Sequence, residues 1–365
     1  MKLTYRPEID GLRAIAVVAV IIYHLKISFY ENSFLGGGFL GVDIFFVISG
    51  YLISMIIFKE LKKTGTISFV NFYQRRVRRI IPALVFLILI SLPVAWYLIL
   101  PVSFVDFSKS IISSLSFVSN FYFYFSGQEY GSEEGLFKPF LHTWSLSIEE
   151  QFYILFPVFI FLVFKVFRKH LKFILLLSFL ISLVIANWGL FRLPAFNFYI
   201  LPSRGWELLA GSLLAYFEIN NKVKTSTNLN ANFFSFVGLI LILISIFIFS
   251  EEIKHPSFYT LPTVIGVSLI IWFSKDKNNI INKVLSSKLL VSTGIISYSL
   301  YLWHFPIFAF GRMNIVSESL LDKLIWIILT IIFSIFSYLF IKKFFRDKKR
   351  INFKKTLIFL LTAYV

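Results

Sequence analysis

Ten stretches of this sequence are apolar for about 17 to 25 residues, long enough to cross a bilayer. They lie at roughly 12–30, 39–58, 80–100, 142–164, 173–190, 199–219, 233–249, 258–274, 289–311 and 322–342. In lipid a chain has no water to satisfy its peptide groups, so such stretches must be helices. The predicted fold class is therefore an all-α polytopic membrane protein with about ten transmembrane helices. Composition agrees: 58% of the residues are apolar, 15% are charged and the mean hydropathy is +0.80. A soluble domain carries nearer ~25% charge. Cysteine is absent, which excludes disulfide and thiol chemistry.

The net charge of +17 would suit nucleic acid, but the placement of the charges argues against it. With the N-terminus in the cytoplasm, the connections on that side carry 25 Lys and Arg residues and the opposite ones carry 5. This bias predicts a multi-pass membrane protein with a cytoplasmic N-terminus. Anionic lipid and a cytosolic phosphate ligand are second readings of the same charge. The stretch 101–141 fits the bias only as a re-entrant or interfacial segment, since a full crossing there would reverse every later loop. Residues 1–345 are expected to form one membrane domain with an uncleaved N-terminal anchor, no internal repeat and no soluble domain. Residues 346–365 read as a basic linker and the outward-going start of an eleventh helix, so a longer gene product is expected.

Ionisable residues within the spans are expensive there and are functional candidates by default. They are Arg13, His24, Asp43, His142, Glu149, Glu150, Arg204, Glu207 and His304. Each has the alternative of pairing with another to hold helices together. Arg13 and His24 are eleven residues apart, which on one helix gives them a common face and a separation of about 16 Å. One is expected near a membrane surface and the other about half way down. Arg204 and Glu207, three apart, suit an ion pair as well as a site. His142 with Trp144 could receive an acceptor, and His304, two residues before Pro306, could instead bond a carbonyl freed by the proline. His170 and His255 read as plain loop residues. The glycine-rich GGGFLGVDIFFVISGYL (36–52) suits either ligand approach by bare backbone or close helix packing. FYQRRVRRIIP (72–82) places Arg75, Arg76, Arg78 and Arg79 at the mouth of the third span, either as a topology anchor or as a phosphate dock. No Cys and no His-Glu-x-x-His spacing are present, so no metal is expected.

The blocks RPEIDGLRAIAVVAVIIYH, GGGFLGVDIFFVISGYLI, FYQRRVRRIIPAL, HTWSLSIEEQFYILFP, SRGWELLAGSLLA and ISYSLYLWHFPI resemble, in this order, those of the acyltransferase family 3 membrane proteins. The resemblance covers about residues 5 to 345. It implies transfer of an acyl group, usually acetyl, from cytosolic acetyl-CoA to a hydroxyl of an extracytoplasmic glycan such as lipopolysaccharide O-antigen. By position, Arg13 and His24 match the family's essential pair, Arg76 and Arg79 its cytoplasmic Arg-x-x-Arg thought to meet CoA phosphates, and Glu149 the acid after the Trp-Ser-Leu block. The start of an eleventh helix resembles the branch fused to a Ser-Gly-Asn-His (SGNH) hydrolase-like domain.

The residues themselves suit that chemistry. Acyl transfer to a hydroxyl needs a base, a donor-rich surround for the oxyanion and a dock for the carrier. His24 is the best base by side-chain type. Arg13 could hold the donor, and Glu149 could orient a histidine as a carboxylate does in a triad. Acetyl-CoA is expected as a cosubstrate, with no bound cofactor. Expected partners are acyl-CoA, the glycan and the bilayer, with no nucleic acid. A secondary transporter would also bury charges at mid-membrane, and a scaffold for a glycan-modifying partner would show neither transfer nor uptake.

Overall fold

The computed structural model describes residues 4–29, 32–128, 134–220, 229–250, 252–347, 351 and 353. In chain order they form α1 (Pro7–His24), a two-residue hairpin of β1 (Ser28–Phe29) and β2 (Asn32–Ser33), α2 (Gly41–Thr64), α3 (Phe69–Leu98), α4 (Pro101–Leu115) and α5 (Ser119–Ser126). There follow α6 (Thr143–Val166), α7 (Leu171–Arg192), α8 (Pro194–Tyr199), α9 (Leu201–Asn220), α10 (Leu229–Ile248), α11 (Leu261–Phe273) and α12 (Ile280–Leu285). α13 (Lys288–Met313), α14 (Leu320–Phe336) with a π-helical turn over Ser337–Lys342, and α15 (Lys343–Arg346) complete the described elements. The hairpin pairs antiparallel, with Ser28 opposite Ser33.

A helix occupies each of the ten apolar stretches, with shifted ends. Among the described residues, six helices are long and apolar enough to cross a membrane: Gly36–Thr64, Phe69–Leu98, Thr143–Val166, Arg168–Arg192, Leu229–Ile248 and Leu320–Arg346. The other four depart for local reasons. α1 and α9 each carry charges within the helix, α11 has only 13 residues, and α13 is interrupted by the polar and aromatic run SYSLYLWHFP. The segment 101–141 contains two helices of 15 and 8 residues, neither long enough to span. The expected eleventh helix at 356–365 lies outside the described residues, as does part of the acid-bearing 120–141 segment.

Two ends differ from the expectation in a way that matters for the site. The span expected over 12–30, with His24 half way along, is corrected: the helix runs from Pro7 to His24, and His24 closes it. Pro7 suits the first helical position, and Glu8 and Asp10 in the first turn favour the positive end of the helix dipole, so the helix starts in a polar stretch that hydropathy discounts. The third helix likewise begins at Phe69, eleven residues before the expected 80, so the four arginines lie within α3 rather than at its mouth.

The chain divides into two compact units, Met1–Ile67 with Ile148–Ser297, and Ser68–Ser147 with Tyr298–Val365. In the first, α2 packs along α9, α9 on α7, α10 on α11, and α1 on α2 and the 3₁₀ turn Gly36–Leu40. Glycine sets the closest approaches. A Cβ on Gly50 would overlap the Leu208 carbonyl, and one on Gly211 the Val47 carbonyl, so α2 and α9 meet backbone to backbone. The 36–41 cluster is also a packing device, since Gly38 and Gly41 rest on the carbonyls of Ala19 and Ala16 of α1. In the second unit, α3 packs on the π-helical turn and α15, while Trp303 stacks on Phe333 at 4.8 Å and meets Phe86 edge-on at 5.8 Å.

Overpacked cores typically lose about 1–3 kcal/mol. Gly211→Val is therefore expected to lower the melting temperature in detergent, whereas a side chain at Gly65 meets nothing within 4 Å and is limited only by its φ of 69°. A Gly211→Val protein as stable as the parent would refute the close α2–α9 contact.

Candidate active site

Arg13 lies two turns into α1, where its Nη1 pairs with Asp10 Oδ1 at 3.1 Å. Tyr5 donates its hydroxyl to the other Asp10 oxygen at 2.9 Å. Partial burial and the adjacent Asp10 carboxylate push the Tyr5 phenol up to about 12, so it stays a donor at neutral pH. Beside this trio, Arg6 is fixed at three points. Its Nε meets Glu8 at 2.6 Å, its Nη1 donates to the Tyr51 hydroxyl at 2.7 Å, and its Nη2 donates to the Ile271 carbonyl at 2.7 Å. Tyr51 in turn donates to Glu218 at 2.9 Å, and Lys275 reaches the same carboxylate at 2.8 Å. Burial pushes the Lys275 amine below its ordinary range, against the pull of Glu218. These side chains border a cavity of about 260 Å³ whose wall includes Arg6, Asp10, Arg13, Tyr51, Lys59 and Glu218. It lies where Lys59 and Glu218 approach the C-terminal ends of α2 and α9.

His24 is half-buried at the other end of α1 and packs edge-on against Tyr23 at 5.0 Å. It is not in the wall of the Arg13 cavity. The expectation that the two residues line one pocket is thus not met by this cavity, because eleven residues of helix separate Arg13 from His24. Glu149 of α6 accepts a hydrogen bond from the Ser49 hydroxyl of α2. Tyr23 also meets Phe39 at 5.7 Å, and Phe39 meets the imidazole of His255 at 5.1 Å.

His255 corrects the sequence reading. It is not a plain loop residue: its side chain is 6% exposed and joins the fully buried Asp43, Arg204 and Glu207. Its Nε2 lies 2.9 Å from Asp43 Oδ1 and 2.7 Å from Arg204 Nη1. One tautomer lets this nitrogen donate to Asp43 and the other lets it accept from Arg204. Arg204 also pairs with Glu207 at 3.2 Å, as their i, i+3 spacing predicts, and faces the rings of Phe46 and Phe198. No spacing rule could reach His255, which is 212 residues from Asp43 along the chain. Asp43, Glu207 and His255 bring ligand atoms within 4.8 Å of one another, a set that could hold a cation. Here Arg204 supplies the positive charge, and its guanidinium lies in contact with all three.

In the second unit, His142 is buried against Phe305 (stacked, 5.4 Å), Tyr301 (5.4 Å) and His304 (5.5 Å). Neither His142 ring nitrogen has a well-formed hydrogen bond. The backbone carbonyls of Leu302, whose helical donor Pro306 removes, and of Pro139 lie near the ring. His304 Nδ1 lies 2.7 Å from the Tyr301 carbonyl and 3.2 Å from that of Leu300. It therefore bonds carbonyls one turn back, though not the one that proline frees. Trp144 is buried at the start of α6.

The α3 arginines divide. Arg78 is buried, and its Nη1 donates to the carbonyls of Ile351 at 2.8 Å and Phe345 at 3.3 Å. Arg75 and Arg79 are half-exposed and share a face at i, i+4, with no ion pair or hydrogen bond among the described residues. Arg76 leans over Phe72 at 5.9 Å. Hydrogen bonds to a charged group are worth about 1.5–3 kcal/mol. Arg78→Gln is therefore expected to lower the melting temperature, and Arg75→Gln to leave it unchanged; equal effects would remove the distinction.

Burial pushes the His255 imidazole below its ordinary range, Asp43 opposing and Arg204 reinforcing. The folded state thus favours the neutral ring. Its stability contribution is complete above the unfolded value near pH ~6.5 and is lost as pH falls, because the unfolded chain takes up the proton first. The melting temperature is expected to decline from pH 7 to pH 5 less steeply in His255→Gln than in the parent. An unchanged slope would assign the acid sensitivity to other groups.

Residues 6–342 match the family described as an acyltransferase domain. The chain is also similar to the O-acetyltransferase OatA of Staphylococcus aureus strains MRSA252 and NCTC 8325 / PS 47, with 32% identity over 383 residues in each case. These alignments cover 98% of this chain and 61% of each relative, so the chain spans about three fifths of their length. No solved structure matches it.

Proposed function

Because the chain belongs to the acyltransferase domain family, we propose that it is a multi-pass membrane O-acyltransferase carrying an acetyl group from cytosolic acetyl-CoA to a hydroxyl of an extracytoplasmic glycan. Its N-terminus is cytoplasmic, about ten helices cross the membrane, and 101–141 is re-entrant from outside. The observation that carries the reading is the charged cavity under Arg13. Its wall holds Lys59 and Glu218 near the C-terminal ends of α2 and α9, the ends that the charge bias assigns to the cytoplasm, where an anionic donor would arrive.

In this reading the acceptor hydroxyl attacks the thioester carbonyl. A carbon–oxygen bond forms, the carbon–sulfur bond breaks, and the hydroxyl proton passes by way of a base to the departing thiolate. His24 acts as the base. Arg13, paired with Asp10, binds the donor away from the reacting carbonyl, since about 16 Å of helix separates it from His24. Glu149, fixed by Ser49, holds the polar surround of the reacting groups. Arg76 and Arg79, with Arg75, meet phosphates of the carrier. His142, Trp144 and His304 belong to the acceptor side. Asp43, Arg204, Glu207 and His255 brace the outer end of the first unit rather than touch the reacting atoms.

The roles of Arg13 and His24 separate experimentally. A positioned base contributes about 10² to 10⁴-fold, so His24→Ala is expected to abolish acetyl transfer while acetyl-CoA still binds. Arg13→Lys keeps the charge but loses the planar fork, and is expected to weaken donor binding. Transfer of labelled acetyl from acetyl-CoA to envelope glycan, measured beside melting temperature and donor affinity, provides the check. A well-folded His24→Ala protein with near-normal transfer would overturn the assignment.

A further inference from the structure

The cavity under Arg13 continues into a second opening of about 430 Å³ that shares Met55, Lys59 and Glu218 with it and adds Lys62 and Lys63. Together the two are walled by five basic side chains and two acidic ones. Both acids are already neutralised: Asp10 by Arg13, and Glu218 by Lys275. The lysines are not. Lys59 and Lys63 have no hydrogen bond or ion pair among the described residues, and Lys62 only donates to the Ile219 carbonyl at 2.8 Å. These three sit on the last turn and a half of α2, where the helix end offers roughly half a negative charge. Three ammonium groups exceed what that dipole can balance, and they face open space beside an arginine already aimed inward.

We propose that Lys59, Lys62 and Lys63 form a docking site for the 3′-phosphate of the coenzyme A donor, separate from the arginines of α3. This rests on the acyl-CoA reading given above. The 3′-phosphate lies at the end of coenzyme A remote from the thioester, so a thioester directed inward past Arg13 leaves the phosphate at the rim. A phosphate monoester carries about −1.5 to −2 charges at pH 7. Flexible lysines act on it as point charges, whereas the planar arginine fork suits bidentate contact.

The test uses the whole chain in nanodiscs of purely zwitterionic lipid and measures affinity for coenzyme A and for dephospho-coenzyme A, which lacks only that phosphate. Partly exposed charge pairs are individually weak, so three together are expected to give a preference of about tenfold for coenzyme A, falling with salt. The triple variant K59Q/K62Q/K63Q is expected to lose most of that preference with dephospho-coenzyme A affinity unchanged. The variant K59R/K62R/K63R is expected to retain the preference. A glutamine variant that keeps the parental preference at parental melting temperature overturns the proposal. So does one whose only defect is weaker retention on vesicles containing phosphatidylglycerol, which would make the lysines a lipid contact. A parent protein that binds neither compound instead overturns the donor reading, and the two failures are thereby distinguished.

Discussion

A guanidinium with no solvent exposure is the constraint around which the first unit is arranged. Taking Arg204 out of water costs several kcal/mol, and the fold offsets that cost with Glu207 one turn along α9, Asp43 from α2 and His255 from the segment before α11. Asp43 can reach it because α2 and α9 touch along their backbones. His255 can reach it because the chain turns inward at residues 255–257, where Pro256 and Ser257 are buried. Removing a partner takes from the guanidinium one of the contacts that offset its desolvation. The cluster thus fixes which residues of α2 face α9, and with them the placement of Ser49 and Tyr51 on neighbouring turns of α2.

Tyr51 carries this register to the other end of the helix. Arg6, Tyr51, Glu218 and Lys275 form a chain of charge-assisted contacts joining the start of α1, the middle of α2, the end of α9 and the segment after α11. Arg13 is aimed by its local pairing with Asp10, whose other oxygen Tyr5 holds, and the wall it faces is built by this longer chain. The cavity is thus bordered by side chains fixed at several points, which favours a preformed wall over one that orders on contact.

Much of this was legible in the sequence because lipid imposes helices on long apolar runs. A helix occupies each of the ten stretches, and the Arg204–Glu207 pair follows from spacing alone. The errors have a common physical origin. Hydropathy discounts polar first turns, so α1 and α3 begin earlier than expected, which moves His24 to a helix end and the four arginines inside a helix. The glycine run allowed two readings, and only the positions of Ala16 and Ala19 in space decide for packing. Arg78 looked like its neighbours until the carbonyls of Phe345 and Ile351 were found to hold it. His255 carried no local signal, because its partners are distant in the chain and loop histidines are usually solvated.

The backbone contact between α2 and α9 has a consequence for motion. Helices separated by leucine-sized side chains can slide as rotamers exchange, but glycine against carbonyl leaves nothing to exchange. The pair therefore moves as one stiff strut, with α1 leaning on it through Gly38 and Gly41. Any opening that admits a substrate to this unit must come from elements hinged around the strut, such as the α10–α11 pair, and not from a parting of the strut itself.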